Sequence, residues 1–195
     1  METGDIIFIT GGARSGKSAF AEKYAQKLSG ASGSKLHYIA TAKETDEEMS
    51  ERIKRHQNDR AESKIPWTTW EAPIDIHKLA PEFTSQDVVL LDCLTVLLTN
   101  ELFSKTNEGE LGTFKDGIYS KILDGLYLLK REVHTLVIVS NEVLLTPLND
   151  SPVVEVYAEL IGRLHQELVH QSNEAYLVEM GVPIQMKSDY KHIIK

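Results

Sequence analysis

Eight consecutive residues carry the plainest chemistry in the chain. Gly11, Gly12, Ala13, Arg14, Ser15, Gly16, Lys17 and Ser18 follow the pattern G-x-x-x-x-G-K-S, directly after the apolar run IIFIT (6–10) and directly before a helical stretch. A strand that enters a glycine turn and leaves as a helix makes a phosphate cradle. The glycines let the backbone come close, and successive N–H groups at the helix start face an anion. In such a loop Lys17 reaches the β- and γ-phosphates, and the Ser18 hydroxyl ligates Mg2+. A second acidic group for the ion is expected at Asp92, which closes the buried run DVVLLD (87–92) and is read as lying on a neighbouring strand. A cap on the following helix is the other role open to Asp92, and the two are compatible.

The segment ETDEEMSERIKRHQNDR offers a different chemistry. A helix is expected over Glu44–Asn58, and if it persists to the end of that segment, helical spacing aligns Glu48, Arg52, His56 and Arg60 in one stripe, basic around the histidine. A neutral imidazole there could attack phosphorus while arginines hold the phosphates and pyrophosphate departs with Mg2+. A solvated charged face gives the same pattern, and periodicity does not decide between them. Glu71, in PWTTWEAP, could accept hydrogen bonds from a guanine edge or ribose hydroxyls, or be a solvated carboxylate. Trp67 and Trp70 beside it are read as packing residues before base-stacking ones. His37, His77, His134, His165, His170 and His192 lack zinc-type spacing with cysteine and are read as structural or surface residues.

These groups need a scaffold that brings strand ends together. Short β-rich runs, IIFIT (6–10), KLHYIA (35–40), DVVLLD (87–92), TLVIVS (135–140) and EAYLVE (174–179), alternate with helical stretches at 17–28, 44–58, 94–103, 114–132 and 153–171, with GVPIQMK as a final edge strand. This is the pattern of a mostly parallel α/β sheet covered by helices, with function at the C-terminal strand ends. No repeat or composition break divides residues 1–195, so one domain is expected. The chain has 195 residues, 42% of them hydrophobic, and a net charge of −8 from 29 acidic and 21 basic residues. That balance argues against a nucleic-acid binder with a basic face. The lone Cys93 suits a reduced, cytoplasmic setting, and the start METGDIIFITGG has neither a secretory signal nor the length of a membrane span.

The order GGARSGKS, YIAT, DEEMSERIKRHQNDR, W-x-x-x-E, LLDCLT-x-x-x-TN and SNEV resembles the bifunctional adenosylcobinamide kinase/adenosylcobinamide-phosphate guanylyltransferases, over nearly the full length. The resemblance implies a RecA-like P-loop fold and an enzyme that phosphorylates adenosylcobinamide with ATP or GTP. It then implies transfer of GMP from GTP to that phosphate through a guanylylated histidine, here His56. It also implies nucleotide contacts from Gly11 to Ser18, from Ala40, Thr41 and Ala42, from Gln57, Asn58, Asp59 and Arg60, and from Glu71 and Asp92. Mg2+ as cofactor, no nucleic-acid or membrane partner, and a homotrimer follow from the same resemblance.

The chain departs from the family pattern late. Leu144 stands where a glycine is usual, Glu155, Ala158 and Glu159 where two arginines and an aspartate are, and His165 where an asparagine is. Replacing guanidiniums with Glu and Ala removes bidentate anion recognition, so the corrinoid side or a subunit contact is expected to be rebuilt. A plain P-loop kinase, or a GTP-binding regulatory protein without turnover, are the readings that compete with the bifunctional enzyme.

Overall fold

Period-two alternation in the apolar runs sorts their side chains onto two faces of one sheet. A computed structural model of the chain describes residues 4–42, 65–105, 111–142 and 152–189. Its strands are β1 (Asp5–Gly11), β2 (Leu36–Ala40), β3 (Trp67–Glu71), β4 (Val88–Asp92), β5 (Thr135–Asn141), β6 (Glu174–Glu179) and β7 (Val182–Ser188). They form a seven-stranded sheet in the order β3-β2-β4-β5-β1-β6-β7, parallel except for the β6–β7 hairpin. The helices are α1 (Lys17–Ser32), α2 (Leu94–Lys105), α3 (Leu111–Glu132) and α4 (Pro152–Gln171), with a 3-10 helix at Ile76–Glu82.

Ile6, Phe8, Val89, Leu91, Leu136 and Ile138 point to one face, where α2, α3 and α4 cover them with Leu97, Leu98, Ile122, Leu126, Leu160 and Leu164. Ile7, Ile9, Val88, Leu90, Val137 and Val139 point to the other, against Ala21 and Ala25 of α1. Both faces of these central strands are therefore dry, which is why their sequences are apolar throughout.

Several boundaries differ from the sequence expectation. Helix α1 runs four residues past Leu28 because Ser29 is buried, its hydroxyl donates to the Ser34 carbonyl at 2.5 Å, and the Gly33 N–H closes the last turn on Ser29 O at 2.7 Å. Helix α3 begins at Leu111, earlier than Phe114, and α4 opens on Pro152, the first-turn position a proline tolerates. Strand β3 was not foreseen. Its Trp70 indole donates to His37 Nδ1 at 3.1 Å and meets Phe83 edge-on, and Trp67 meets Tyr38 edge-on, so both tryptophans pack within the fold. The final edge strand is present as β7, beginning one residue later because Gly181 belongs to the turn. The charged stretch 44–58 lies outside the described residues.

Candidate functional site

The eight-residue loop joins β1 to α1 at the C-terminal edge of the sheet. Gly11 is the last residue of β1, Ala13 and Arg14 are exposed, and Lys17 opens the helix. Arg14 (φ 58°) and Gly16 (φ 91°) take left-handed conformations that curl the backbone, and the Ser15 N–H donates to Gly12 O at 3.2 Å. No side chain caps α1 at Gly16, and its first turn carries no acidic residue. The positive end of the helix dipole is therefore left facing the loop, the arrangement that binds phosphate.

Lys17 is 4% exposed, and its ammonium donates to the Gly12 carbonyl at 3.0 Å, so the charge lies across the loop. Ser18 is also buried, one residue into α1. A single loop hydroxyl is a sparse donor set, and it suits Mg2+, which keeps several waters and takes its other ligands from substrate phosphates.

Asp92 does not stand on the strand next to the loop, as the sequence reading had it. Strand β5 is inserted between β1 and β4, so Asp92 lies two strand spacings away, about 10 Å. Nor is Asp92 the cap of α2, because the residue accepting the first helical hydrogen bond is Cys93, from the Leu97 N–H at 3.1 Å. Its Oδ2 instead accepts from the Tyr38 hydroxyl at 3.2 Å. The Asp92–Cys93 peptide is cis. Burial, and then the Asp92 charge, push the Cys93 thiol above its usual range, so it stays protonated near neutrality.

Thr41 holds the ends of β2 and β4 together. Its fully buried hydroxyl donates to Cys93 O at 2.9 Å and accepts from Cys93 N–H at 2.8 Å, while its own N–H donates to Asp92 O. Ala40 closes β2 and Ala42 follows Thr41, so the three residues form one short segment at the strand ends. Glu71 is exposed at the end of β3, four strand spacings from β1, about 19 Å. His56, Gln57, Asn58, Asp59 and Arg60, with Leu144, lie outside the described residues.

Several site residues carried no role in the sequence reading. Asn100 donates to both Thr41 O (2.8 Å) and Pro73 O (3.0 Å), fixing the exits of β2 and β3. Asn141, at the end of β5, donates to Thr95 Oγ1 at 2.9 Å, and the Glu142 N–H donates to Gly11 O at 3.0 Å, tying the inserted strand to the phosphate loop. The signal was present, since Asn100 falls in the TN of LLDCLT-x-x-x-TN and Asn141 and Glu142 in SNEV. Nothing in either string says which strands will be adjacent.

The described late positions, Glu155, Ala158, Glu159 and His165, sit on α4. Glu155 is exposed. Glu159 accepts two hydrogen bonds from Lys115 of α3 at 2.9 and 2.7 Å and lies 3.6 Å from Arg163, so it serves a contact between helices. His165 Nε2 is 2.7 Å from Ser140 Oγ, and burial pushes its imidazole down to about 4.

A family model described as cobinamide kinase / cobinamide phosphate guanyltransferase matches residues 7–186. The chain belongs to this family. Within it, the bifunctional adenosylcobalamin biosynthesis protein CobU of Escherichia coli (strain K12) is 32% identical over 188 residues, covering 93% of this chain and 99% of that protein. The corresponding CobP protein of Pseudomonas aeruginosa is 34% identical over 185 residues, covering 93% and 96%. A solved ATPase domain superposes with a TM-score of 0.52 at 12% identity, covering 95% of this chain and 78% of that one, and so shares the P-loop fold. Among the described residues no helix is long and apolar enough to cross a membrane.

Proposed function

We propose that this chain, by its family a bifunctional cobinamide kinase and cobinamide phosphate guanylyltransferase, runs both reactions from the phosphate loop at Gly11–Ser18, with His56 as the guanylyl carrier. In the kinase step the acceptor hydroxyl of adenosylcobinamide attacks the γ-phosphorus of ATP or GTP and the nucleoside diphosphate leaves. In the transferase step an imidazole nitrogen of His56 attacks the α-phosphorus of GTP, forming a P–N bond as the α–β bridge breaks and pyrophosphate departs. The phosphate of adenosylcobinamide phosphate then attacks the same phosphorus, and His56 is released.

The observation that carries this reading is the buried Lys17 ammonium lying across the loop, in a chain that matches the family from residue 7 to residue 186. Loop N–H groups and Lys17 hold the β- and γ-phosphates in either step. Mg2+ would be held by Ser18, with Asp92 reaching it through a coordinated water across the inserted strand, and would offset charge building on the leaving phosphates. Ala40 to Ala42, Gln57 to Arg60 and Glu71 complete the nucleotide contacts in this reading. Residues 1–195 act as one domain, in the cytoplasm. Exposed Phe103 and Phe114, 52% and 49% accessible, are apolar surface of the kind a homotrimer would cover.

Intact mass after incubation with Mg-GTP tests the carrier role. An adduct of one GMP that is lost in mild acid and absent from His56→Ala is the expected result. No adduct, with GTP still bound or hydrolysed, would leave a plain kinase or a nucleotide binder.

A further inference from the structure

The nucleotide contacts of the proposed function stand on one flank of the phosphate loop. Ala40 to Ala42 lie at the end of β2 and Glu71 ends β3, and in the order β3-β2-β4-β5-β1 the strands β4 and β5 separate them from the loop. A triphosphate with its β- and γ-phosphates in the loop and its nucleoside at β2 and β3 therefore carries its α-phosphate across the end of β5. The residue at that end is Asn141.

Register sets Asn141 beside the loop. It pairs with Gly11, one strand spacing or about 5 Å away, and the next residue's N–H holds Gly11 O at 3.0 Å. Its side chain continues the row Val137, Val139, which faces α1, and Asp92 continues Val88, Leu90 onto the same face. Lys17 opens α1, so ammonium, amide and carboxylate share one side of the sheet, with the amide on the strand between the other two. The Cys93 thiol, raised mainly by burial, also feels the Lys17 charge, and Asn141 Nδ2 is 3.9 Å from that sulfur. The half-buried amide is oriented by Thr95, to whose Oγ1 Nδ2 donates at 2.9 Å. Its second hydrogen is left to the sulfur, a weak acceptor that a phosphate oxygen readily replaces.

We propose that Asn141 is a catalytic residue of the guanylyl transfer, donating from Nδ2 to a non-bridging oxygen of the α-phosphate. The proposal rests on the nucleotide contacts and the His56 carrier of the proposed function. As the imidazole nitrogen gives its lone pair to the α-phosphorus, the bond to the α–β bridging oxygen breaks and its electron pair leaves on pyrophosphate. A donor fixed beforehand stabilises the charge that redistributes over the α-phosphate oxygens in that step. In the kinase step the bond that breaks is at the γ-phosphorus, and the same donor only helps to bind the nucleotide. Asn141 thus serves one reaction of the two.

Two rates measured on the full chain test it: formation of the acid-labile GMP adduct with saturating Mg-GTP, and phosphorylation of adenosylcobinamide with saturating Mg-nucleotide. Asn141→Ala is expected to slow the adduct by about 10- to 100-fold and phosphorylation by at most about threefold. Asn141→Asp keeps the shape and the Thr95 contact, the threonine hydroxyl then donating, and is expected to slow the adduct at least as much. Adduct formation at the wild-type rate in either variant overturns the proposal. An equal loss in both reactions also overturns it, since Asn141 would then only shape the loop, and so does a larger loss in phosphorylation, which would put the amide at the γ-phosphate. A wild type that forms no adduct, or phosphorylates no adenosylcobinamide, fails the bifunctional reading itself and takes the proposal with it.

Discussion

His165 makes the stability of this chain depend on pH in a direction and by an amount that can be worked out. Its ring lies edge-on to Phe8 at 5.3 Å, its Nε2 faces Ser140 Oγ, and burial alone lowers its pKa to about 4. Because the folded pKa is below the unfolded value of about 6.5, the unfolded chain takes up a proton first as the pH falls. The neutral imidazole's contribution is therefore complete above about pH 6.5 and is lost progressively between about 6.5 and 4. At about 1.4 kcal/mol per pH unit, the loss by about pH 4.5 is on the order of 2–3 kcal/mol. His165→Asn keeps a polar side chain that cannot titrate. Urea unfolding of both proteins at about pH 7.5, 6 and 4.5 gives the difference in stability at each pH, and carboxylates common to both cancel from it. The wild type is expected to lose on the order of 2–3 kcal/mol relative to the variant between the highest and lowest pH. A difference constant to within about 0.5 kcal/mol would refute the claim that burial holds this histidine neutral.

Substitutions at two further positions probe the strand ends. Asp92→Asn keeps the shape and removes the charge; both reactions are expected to slow by about 10²- to 10³-fold with saturating Mg2+, while nucleotide binding measured in EDTA stays unchanged. Thr41→Val keeps the volume but leaves the Cys93 N–H without its partner, so it is expected to cost about 1–3 kcal/mol in denaturant unfolding, and Thr41→Ser to cost much less. Equal stabilities of the Val and Ser variants would dismiss the hydroxyl bridge.

The phosphate loop was legible because its logic is local: glycines, Lys17 and Ser18 are consecutive, and the strand before and helix after are both read from short apolar patterns. The first four foreseen strands, β1, β2, β4 and β5, were legible because burial on both faces leaves a nearly unbroken apolar run. Strand β3 was not, since its Thr68 and Thr69 are exposed on the sheet edge and prolines 66 and 73 bound it, so WTTWE has the look of a loop. Strand order was hidden for a different reason. Whether β5 enters between β1 and β4 depends on pairing between segments more than forty residues apart, and Asp92 was accordingly set one strand too close. Thr41 was noted as a nucleotide contact, but its bond to Cys93 joins residues 52 apart, beyond what spacing reports. His165 was read as structural or surface, and spacing gave no sign of its bond to Ser140.

The place of β1 in the sheet has a consequence for synthesis. This strand precedes the other described strands in the chain, yet among them it pairs with β5 and β6, and the N–H of Ile6 is met by the side chain of Asn173, 167 residues away. At bacterial or eukaryotic elongation speeds of about 5–20 residues per second, its edges wait roughly ten seconds or longer for their partners. The loop that follows it is fastened by Gly181, later still. A nascent chain therefore has no finished phosphate loop until Gly181 has left the ribosome, and nucleotide capture waits for the β6–β7 hairpin.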